Sequence, residues 1–269
     1  MIPYVREVAY LSPSSLRLLE TQPAEFYFQR LGPPEYKPNK PEQGFPAAVG
    51  SAFDACVKAT LAGLLALPCK KLDEMLSTVE VEREKAIPLG HQIAVRYANT
   101  GAMRFLPGID GLNQEVDGEK FGVPLRGHID ARLGETCAHD WKVRGAGSPG
   151  KYSPHPGYVR ILDTEAPNVV VGPHTKHGMP FDDIDEDWAT QLTIYGWLLG
   201  HKRGKIEASV DEIVVGKNGR VRVAQFRSYV STAFQRAVEK RLRTAWAMIQ
   251  EHRVVEDDID DLETLRAIR

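Results

Sequence analysis

The chain has 269 residues, enough for one large domain or two small ones and for a sizeable core without disulfide or metal staples. Its 34 Lys and Arg against 36 Asp and Glu leave a net charge of −2, which excludes a uniformly basic nucleic-acid-coating protein but not a local basic groove. A hydrophobic share of 42% belongs to a globular chain rather than a disordered one. The three cysteines, Cys56, Cys69 and Cys137, have no CxxC or Cys/His spacing. Neither a disulfide framework nor a structural zinc site is expected, and the compartment reads as reducing, the cytoplasm. Arg6 and Glu7 fall where a signal peptide would need apolar residues, and the longest apolar run, Leu61 to Leu67, is far too short for a membrane span.

Ser12 followed by Pro13 predicts a helix start, an N-cap hydroxyl and then proline at the first helical position. Leu16, Leu19 and Phe26 carry its apolar face, with a break at Gln22-Pro23 and a stop at Gly32-Pro33-Pro34. Five prolines from Pro33 to Pro46 mark a connector. A second helix is expected from about Ala47 to Leu67, and a broken helical region to about Leu106, interrupted near Pro88 and Gly90. After Pro107 the pattern changes. A hairpin centred on Asp117-Gly118 is expected within Asn113 to Glu119. Strands are expected over Val123 to Leu133 and Thr136 to Val143, joined at Gly134-Glu135. A long loop spans about Arg144 to Asp183, and loops of that length inside a domain are commonly functional. A helix follows from about Ile184 to Leu199. Val210 to Gly216 and Arg220 to Tyr229 form a second hairpin around Asn218-Gly219, and Ser231 to about His252 a last helix. These elements predict one α/β domain over 1–255, helical to about 106, with a central mixed sheet flanked by helices over 107–255. An acidic tail occupies 256–269, with six acidic residues from Glu256 to Glu263.

The chemistry concentrates on two strands. Gly127-His128-Ile129-Asp130 lies on one, and Asp140-Trp141-Lys142 on the next. Residues i and i+2 of a strand share a face, so Asp140 and Lys142 point the same way, and pairing of the strands brings Asp130 beside them. Two carboxylates suit a hard cation such as Mg²⁺ or Mn²⁺. Such an ion polarises a phosphoryl oxygen, and a neighbouring ammonium positions water or offsets developing charge. The bland alternative is a solvated Asp140–Lys142 pair at a sheet edge. Ala138, Trp141 and Val143 argue against it, because they mark a buried strand where unpaired charge is expensive.

Four segments taken in order resemble the PD-(D/E)XK nuclease superfamily, in its RecB-like and CRISPR-adaptation-nuclease-like exonuclease branch. Leu11-Ser12-Pro13-Ser14-Ser15-Leu16 is similar to its opening helix. Gly50-Ser51-Ala52-Phe53-Asp54 is similar to its "G…H" helix, with Asp54 in place of histidine. Gly127-His128-Ile129-Asp130 with Asp140-Trp141-Lys142 is similar to "G.(I/V)D … D.K", and Gln191-Leu192-Thr193-Ile194-Tyr195 to its "Q…Y" helix. The resemblance spans about residues 11 to 200 and implies a restriction-endonuclease-like core. It also implies that Asp54, Asp130, Asp140 and the backbone carbonyl of Trp141 are metal ligands, and that Lys142 is the catalytic lysine. Gln191 and Tyr195 share a helix face and by resemblance contact DNA. Their alternative is packing beside Trp188, Leu192 and Leu199, as that of Asp54 is an exposed helix position. Many branch members hold an iron–sulfur cluster through one early and three late cysteines. Gln22-Pro23 stands at the early position and no cysteine follows Cys137, so no cluster is expected.

From Lys142 to Arg160 the chain carries Lys142, Arg144, Lys151 and Arg160 and no acidic residue, with Tyr152, His155 and Tyr158 interleaved. Cations neutralise phosphates and aromatics stack on unpaired bases, so Arg144, Lys151, Tyr152 and Arg160 are DNA-contact candidates; a surface loop with chance charges is the alternative. Lys217, Arg220 and Arg222 on the second hairpin and Arg236, Lys240, Arg241 and Arg243 on the last helix are further phosphate candidates, with a solvated face as the alternative for the helix cluster. The paired His174 and His177 read as chance. Asp185 and its acidic neighbours complement the dipole of the helix they open. The expected function is a Mg²⁺- or Mn²⁺-dependent DNA nuclease, an exonuclease of repair, recombination or phage DNA processing, acting in the cytoplasm or a host cytoplasm. The alternatives are a catalytically silent nucleic-acid-binding or assembly protein on the same fold, and a hydrolase of a small phosphoester.

Overall fold

The structure, a computed structural model, describes residues 4–38, 43–106, 108–134, 137–145, 157–164, 170–171, 179–216 and 218–255. The expectations for Lys151, Tyr152, His155, His174, His177, Lys217 and the 256–269 tail lie outside the described residues.

Helix α1 (Pro13–Thr21) starts as its sequence dictates: the Ser12 side chain accepts from the Ser15 amide while the Ser15 hydroxyl accepts from the Ser12 amide, a reciprocal cap. After Gln22, Pro23 opens α2 (Pro23–Arg30). Helix α3 (Phe45–Leu65) ends where Ala66 turns left-handed at φ 53°. Its length and apolarity would suffice to cross a bilayer, and half of its most apolar stretch is buried inside the protein. After the short α4 (Leu72–Leu76), α5 (Arg83–Asn99) runs unbroken through Pro88 and Gly90, against the expected interruption. Packing on α3 overrides the local breakers. A Cβ on Gly90 would stand 2.6 Å from the Ala52 Cβ, so the glycine lets the two helices approach, and the contact holds α5 together.

Seven strands form one mixed sheet in the order β1-β2-β3-β6-β7-β4-β5. β1 (Ile109–Lys120) and β2 (Val123–Leu133) are antiparallel, and the turn between them is Phe121-Gly122, both at positive φ. The expected Asp117-Gly118 turn is instead inside β1, paired with Arg126 and Leu125. The β1–β2 register puts every other β2 side chain into the core, and this overrides the weaker local Asp-Gly signal. β3 (Cys137–Arg144) is antiparallel to β2 and parallel to β6 (Glu207–Val215), which pairs with β7 (Val221–Tyr229). The expected long loop also contains β4 (Arg160–Asp163), paired with β7, and the two-residue β5 (Val170–Val171). Helix α6 (Glu186–Leu198), capped by Asp185, and α7 (Thr232–Gln250), capped by Ser231, complete the chain.

Helices cover both faces. One apolar cluster joins α1, α2, α6 and α7 to Leu125, Ala138, Val210 and Phe226 of the sheet. The other joins α3 and α5 to Trp141, Ile213 and Val223. The protein is thus an α/β fold, a central mixed sheet flanked by helices with a helical N-terminal region.

Candidate active site

The β2–β3 ladder pairs Leu133 with Cys137, Arg132 with Ala138 and Ala131 with His139, and then stops. One step further the register sets Asp130 against Asp140, so these carboxylates face each other where the strands part. Their side chains lie within hydrogen-bonding reach of one another. Asp140 and Lys142 share the Ala138 face of β3. The Lys142 Nζ lies 2.5 Å from Asp140 Oδ2, an ion pair without good hydrogen-bond alignment, and donates to Gln191 Oε1 at 3.3 Å. Gln191 Nε2 in turn donates to the Tyr195 hydroxyl at 3.2 Å. Trp141, between the two charged residues, turns its indole to the other face and donates to the Tyr97 hydroxyl at 3.0 Å.

The glycine of the Gly-His-Ile-Asp segment has a spatial reason. A Cβ on Gly127 would stand 2.4 Å from the Tyr195 ring, so the tyrosine of α6 lies flush on β2 only because residue 127 has no side chain. The two sequence motifs are therefore halves of one contact.

Asp54 reaches the same cluster from α3, through a residue the sequence reading passed over. Lys58 Nζ donates to Asp54 Oδ2 at 2.7 Å and to Asp130 Oδ1 at 2.6 Å, with its side chain 4% exposed. The available signal was on α3 itself: Asp54 and Lys58 are the only charged residues of that 21-residue helix and stand one turn apart.

Electrostatics of the cluster follow from burial and like charge. Burial, then the Asp130 charge, raises the Asp140 carboxyl well above its ordinary value. The same two causes push Asp54 up to about 7, against the pull of Lys58. Burial also works against ionised Asp130, but Lys58, the hydrogen bond from Asp140, and Lys142 outweigh it and hold this carboxyl below its ordinary value. Lys58 stays protonated because its two carboxylates more than offset its burial.

The donor set is chemically suited to a hard cation: three carboxylates, with Asp54 Oδ1 buried and without a hydrogen-bond partner. Among the described residues, however, no group of three or more His, Cys, Asp or Glu side chains is arranged to hold a metal. The Lys58 ammonium stands between Asp54 and Asp130. As the site stands, Lys58 also holds Asp130, and Lys142 holds Asp140.

Beside this cluster opens a cavity of about 650 Å³, with Lys142, Gln191 and Tyr195 on its wall. Arg17, Arg30, Arg126, Arg144 and Arg241 also line it, against Glu115, Asp185 and Asp187, so the lining is net positive. Arg126 stacks on Tyr10 at 4.3 Å. Arg241, a phosphate candidate from the sequence, donates to Glu20 and to Thr190. Arg144 is held by Glu212 at 2.7 Å and lies over Trp188 at 5.4 Å. Arg160 is not brought to this cavity. It sits on β4, beyond β6 and β7 from β3, with its guanidinium 3.9 Å from the Phe105 ring centre. The structure thus brings together Asp54, Asp130, Asp140, Trp141, Lys142, Arg144, Gln191 and Tyr195, and sets Arg160 apart.

No protein-family model matches the chain, and no curated protein matches it. Among solved structures, a putative exonuclease from Eubacterium rectale is similar over 97% of this chain and 88% of its own, with 13% identity and a TM-score of 0.55. The two proteins share a fold. A second structure, SSO0001, aligns over 86% of this chain and 85% of its own at 11% identity, with a TM-score of 0.30.

Proposed function

We propose that the protein is a metal-dependent DNA nuclease of the PD-(D/E)XK type, hydrolysing phosphodiester bonds with Asp130, Asp140 and Lys142 at its centre. The observation that carries this reading is the facing Asp130–Asp140 pair at the fork of β2 and β3, with Lys142 2.5 Å from Asp140 and a basic cavity alongside. The shared fold with a putative exonuclease supports it at the level of architecture.

Asp130 and Asp140 would hold Mg²⁺ or Mn²⁺, with Asp54 and the Trp141 carbonyl as further donors. The bound ion supplies Lewis acidity at the phosphate and lowers the pKa of water. Lys142 presents an ammonium to the scissile phosphate or to the attacking water, and Gln191 fixes that ammonium through its amide oxygen. Tyr195 holds Gln191 in turn. Arg17, Arg126 and Arg241 line the path of the phosphate backbone. The proposal extends to an exonuclease of repair, recombination or phage DNA processing, working in the cytoplasm. No iron–sulfur cluster is part of this proposal.

A second reading, a nucleic-acid-binding protein without catalysis, draws on one observation: Lys58 and Lys142 already pair the carboxylates without a metal. End-labelled single- and double-stranded DNA separates the two readings. The nuclease reading expects cleavage in Mg²⁺ or Mn²⁺ and none in EDTA. Binding without cleavage in either metal, or cleavage that survives the chelator, contradicts it.

A further inference from the structure

We propose that Lys58 is an exchangeable internal cation: in the metal-free protein it ties Asp54 to Asp130, and a divalent ion binds by taking its place. The inference rests on the nuclease reading above and adds to it how the site is kept intact when empty and what sets its affinity for metal.

Four observations lead here. Lys58 is buried on a helix whose only other charged residue is Asp54, a placement that is costly for an ammonium unless it is fully paired. Its partners come from two separate elements, Asp54 on α3 at 2.7 Å and Asp130 on β2 at 2.6 Å, so it spans the site rather than decorating one helix. It nevertheless leaves Asp54 Oδ1 buried without a partner, so the ammonium only partly satisfies the carboxylates it joins. No third acceptor for its Nζ is found among the described residues, and the ammonium is held only by the groups that a hard cation would use.

Charge decides between addition and exchange. Asp54, Asp130 and Asp140 against Lys58 and Lys142 leave the cluster with one negative charge when all are ionised. A divalent ion added beside Lys58 would leave one positive charge in a buried site. The same ion exchanged for Lys58 leaves none. The two oxygens that grip Lys58 are also ones that a hard cation would draw on, at about 2.0–2.1 Å for Mg²⁺. The long, flexible lysine stem allows the ammonium to swing away while its Cα stays on α3.

The test uses the full chain and Mn²⁺ alone, with binding read from the loss of the free-ion signal in electron paramagnetic resonance. Lys58→Met keeps the apolar stem and removes the competing charge. It is expected to bind Mn²⁺ at least tenfold more tightly than the unmodified protein; equal or weaker binding overturns the exchange. A second measurement needs no variant. The unmodified protein is labelled with an amine-acylating reagent, and the modification of Lys58 is read by mass spectrometry with and without saturating Mn²⁺. Release of the ammonium predicts a several-fold rise in labelling at Lys58, whereas unchanged or reduced labelling contradicts it even if the variant does not fold. If neither protein binds Mn²⁺, the metal-dependent reading itself falls. If both bind it equally, only the exchange does.

Discussion

Asp140 on β3 and Asp211 on β6 lie one register position apart across a parallel strand pair, both buried, on opposite faces of the sheet. Asp211 is hydrogen-bonded by neutral donors, and the charge of Arg160 also acts on it. The Tyr97 hydroxyl donates to it at 2.6 Å and Gln225 Nε2 at 2.9 Å, while Tyr97 accepts from the Trp141 indole. Burial pushes its carboxyl up to about 7, with the hydrogen bonds from Tyr97 and Gln225 pulling the other way. Asp140 has a second carboxylate against it and an ammonium at 2.5 Å that does not satisfy it. The first arrangement locks α5 to the sheet and needs no visitor. The second concentrates charge of both signs at a strand fork beside a cavity, and is stable only with cations in place. The two buried carboxylates differ in the company of like charge, the feature on which the proposed site rests.

The comparison is broken most sharply at Lys142. Lys142→Ala should lower turnover by about 10²–10⁴-fold, the range for removal of a positioned proton donor or charge stabiliser, with DNA affinity in Ca²⁺ nearly unchanged. Single-turnover rates and fluorescence anisotropy measure the two separately. Gly127→Ala drives a methyl group into the Tyr195 ring and should cost about 1–3 kcal/mol of stability, read from urea denaturation. Shortening the ring in Gly127→Ala/Tyr195→Leu should restore part of it; if it restores none, the two positions are not coupled.

On the opposite face, Asp211 predicts a pH effect of definite sign. Its folded value of about 7 lies above the ordinary 3.8, so the folded state holds the proton more tightly. Its contribution to stability is complete below about pH 4 and is lost as pH rises to about 7. Asp211→Asn, the shape of the neutral acid, should flatten that part of the curve of urea midpoint against pH; a parallel shift would show that Asp211 does not titrate there. The smallest effect is expected at the cavity. Arg126→Gln should lower the salt dependence of duplex binding by about 0.9 in logarithmic slope if Arg126 meets one phosphate, with cleavage chemistry unaltered.

What was legible in the sequence was local. The alternation of Val123–Leu133 and the Ser12-Pro13 cap describe their own elements, and the Asp-x-Lys triplet placed two charges on one face. What was not legible depended on partners far along the chain. Pro88 and Gly90 read as breakers because their helix is completed by α3. The four residues of β4 show no period of their own and become a strand by pairing with β7. Lys58 shows in the sequence only its one-turn spacing from Asp54, and its second partner, Asp130, lies 72 residues later in the chain. Arg160 follows β3 in sequence, yet the crossing to β4 carries it away from the Asp130–Asp140 fork.

The most direct test sets the two buried carboxylates against each other in one experiment. Cleavage of end-labelled DNA in saturating Mn²⁺ is measured for the unmodified protein, Asp140→Asn and Asp211→Asn, each confirmed folded by its near-ultraviolet circular dichroism. The account predicts that Asp140→Asn loses at least about a hundredfold in rate, the scale of a lost electrostatic group in an active site, while Asp211→Asn stays within about fivefold of the unmodified protein. Full activity in Asp140→Asn, or equal loss in both variants, would contradict it.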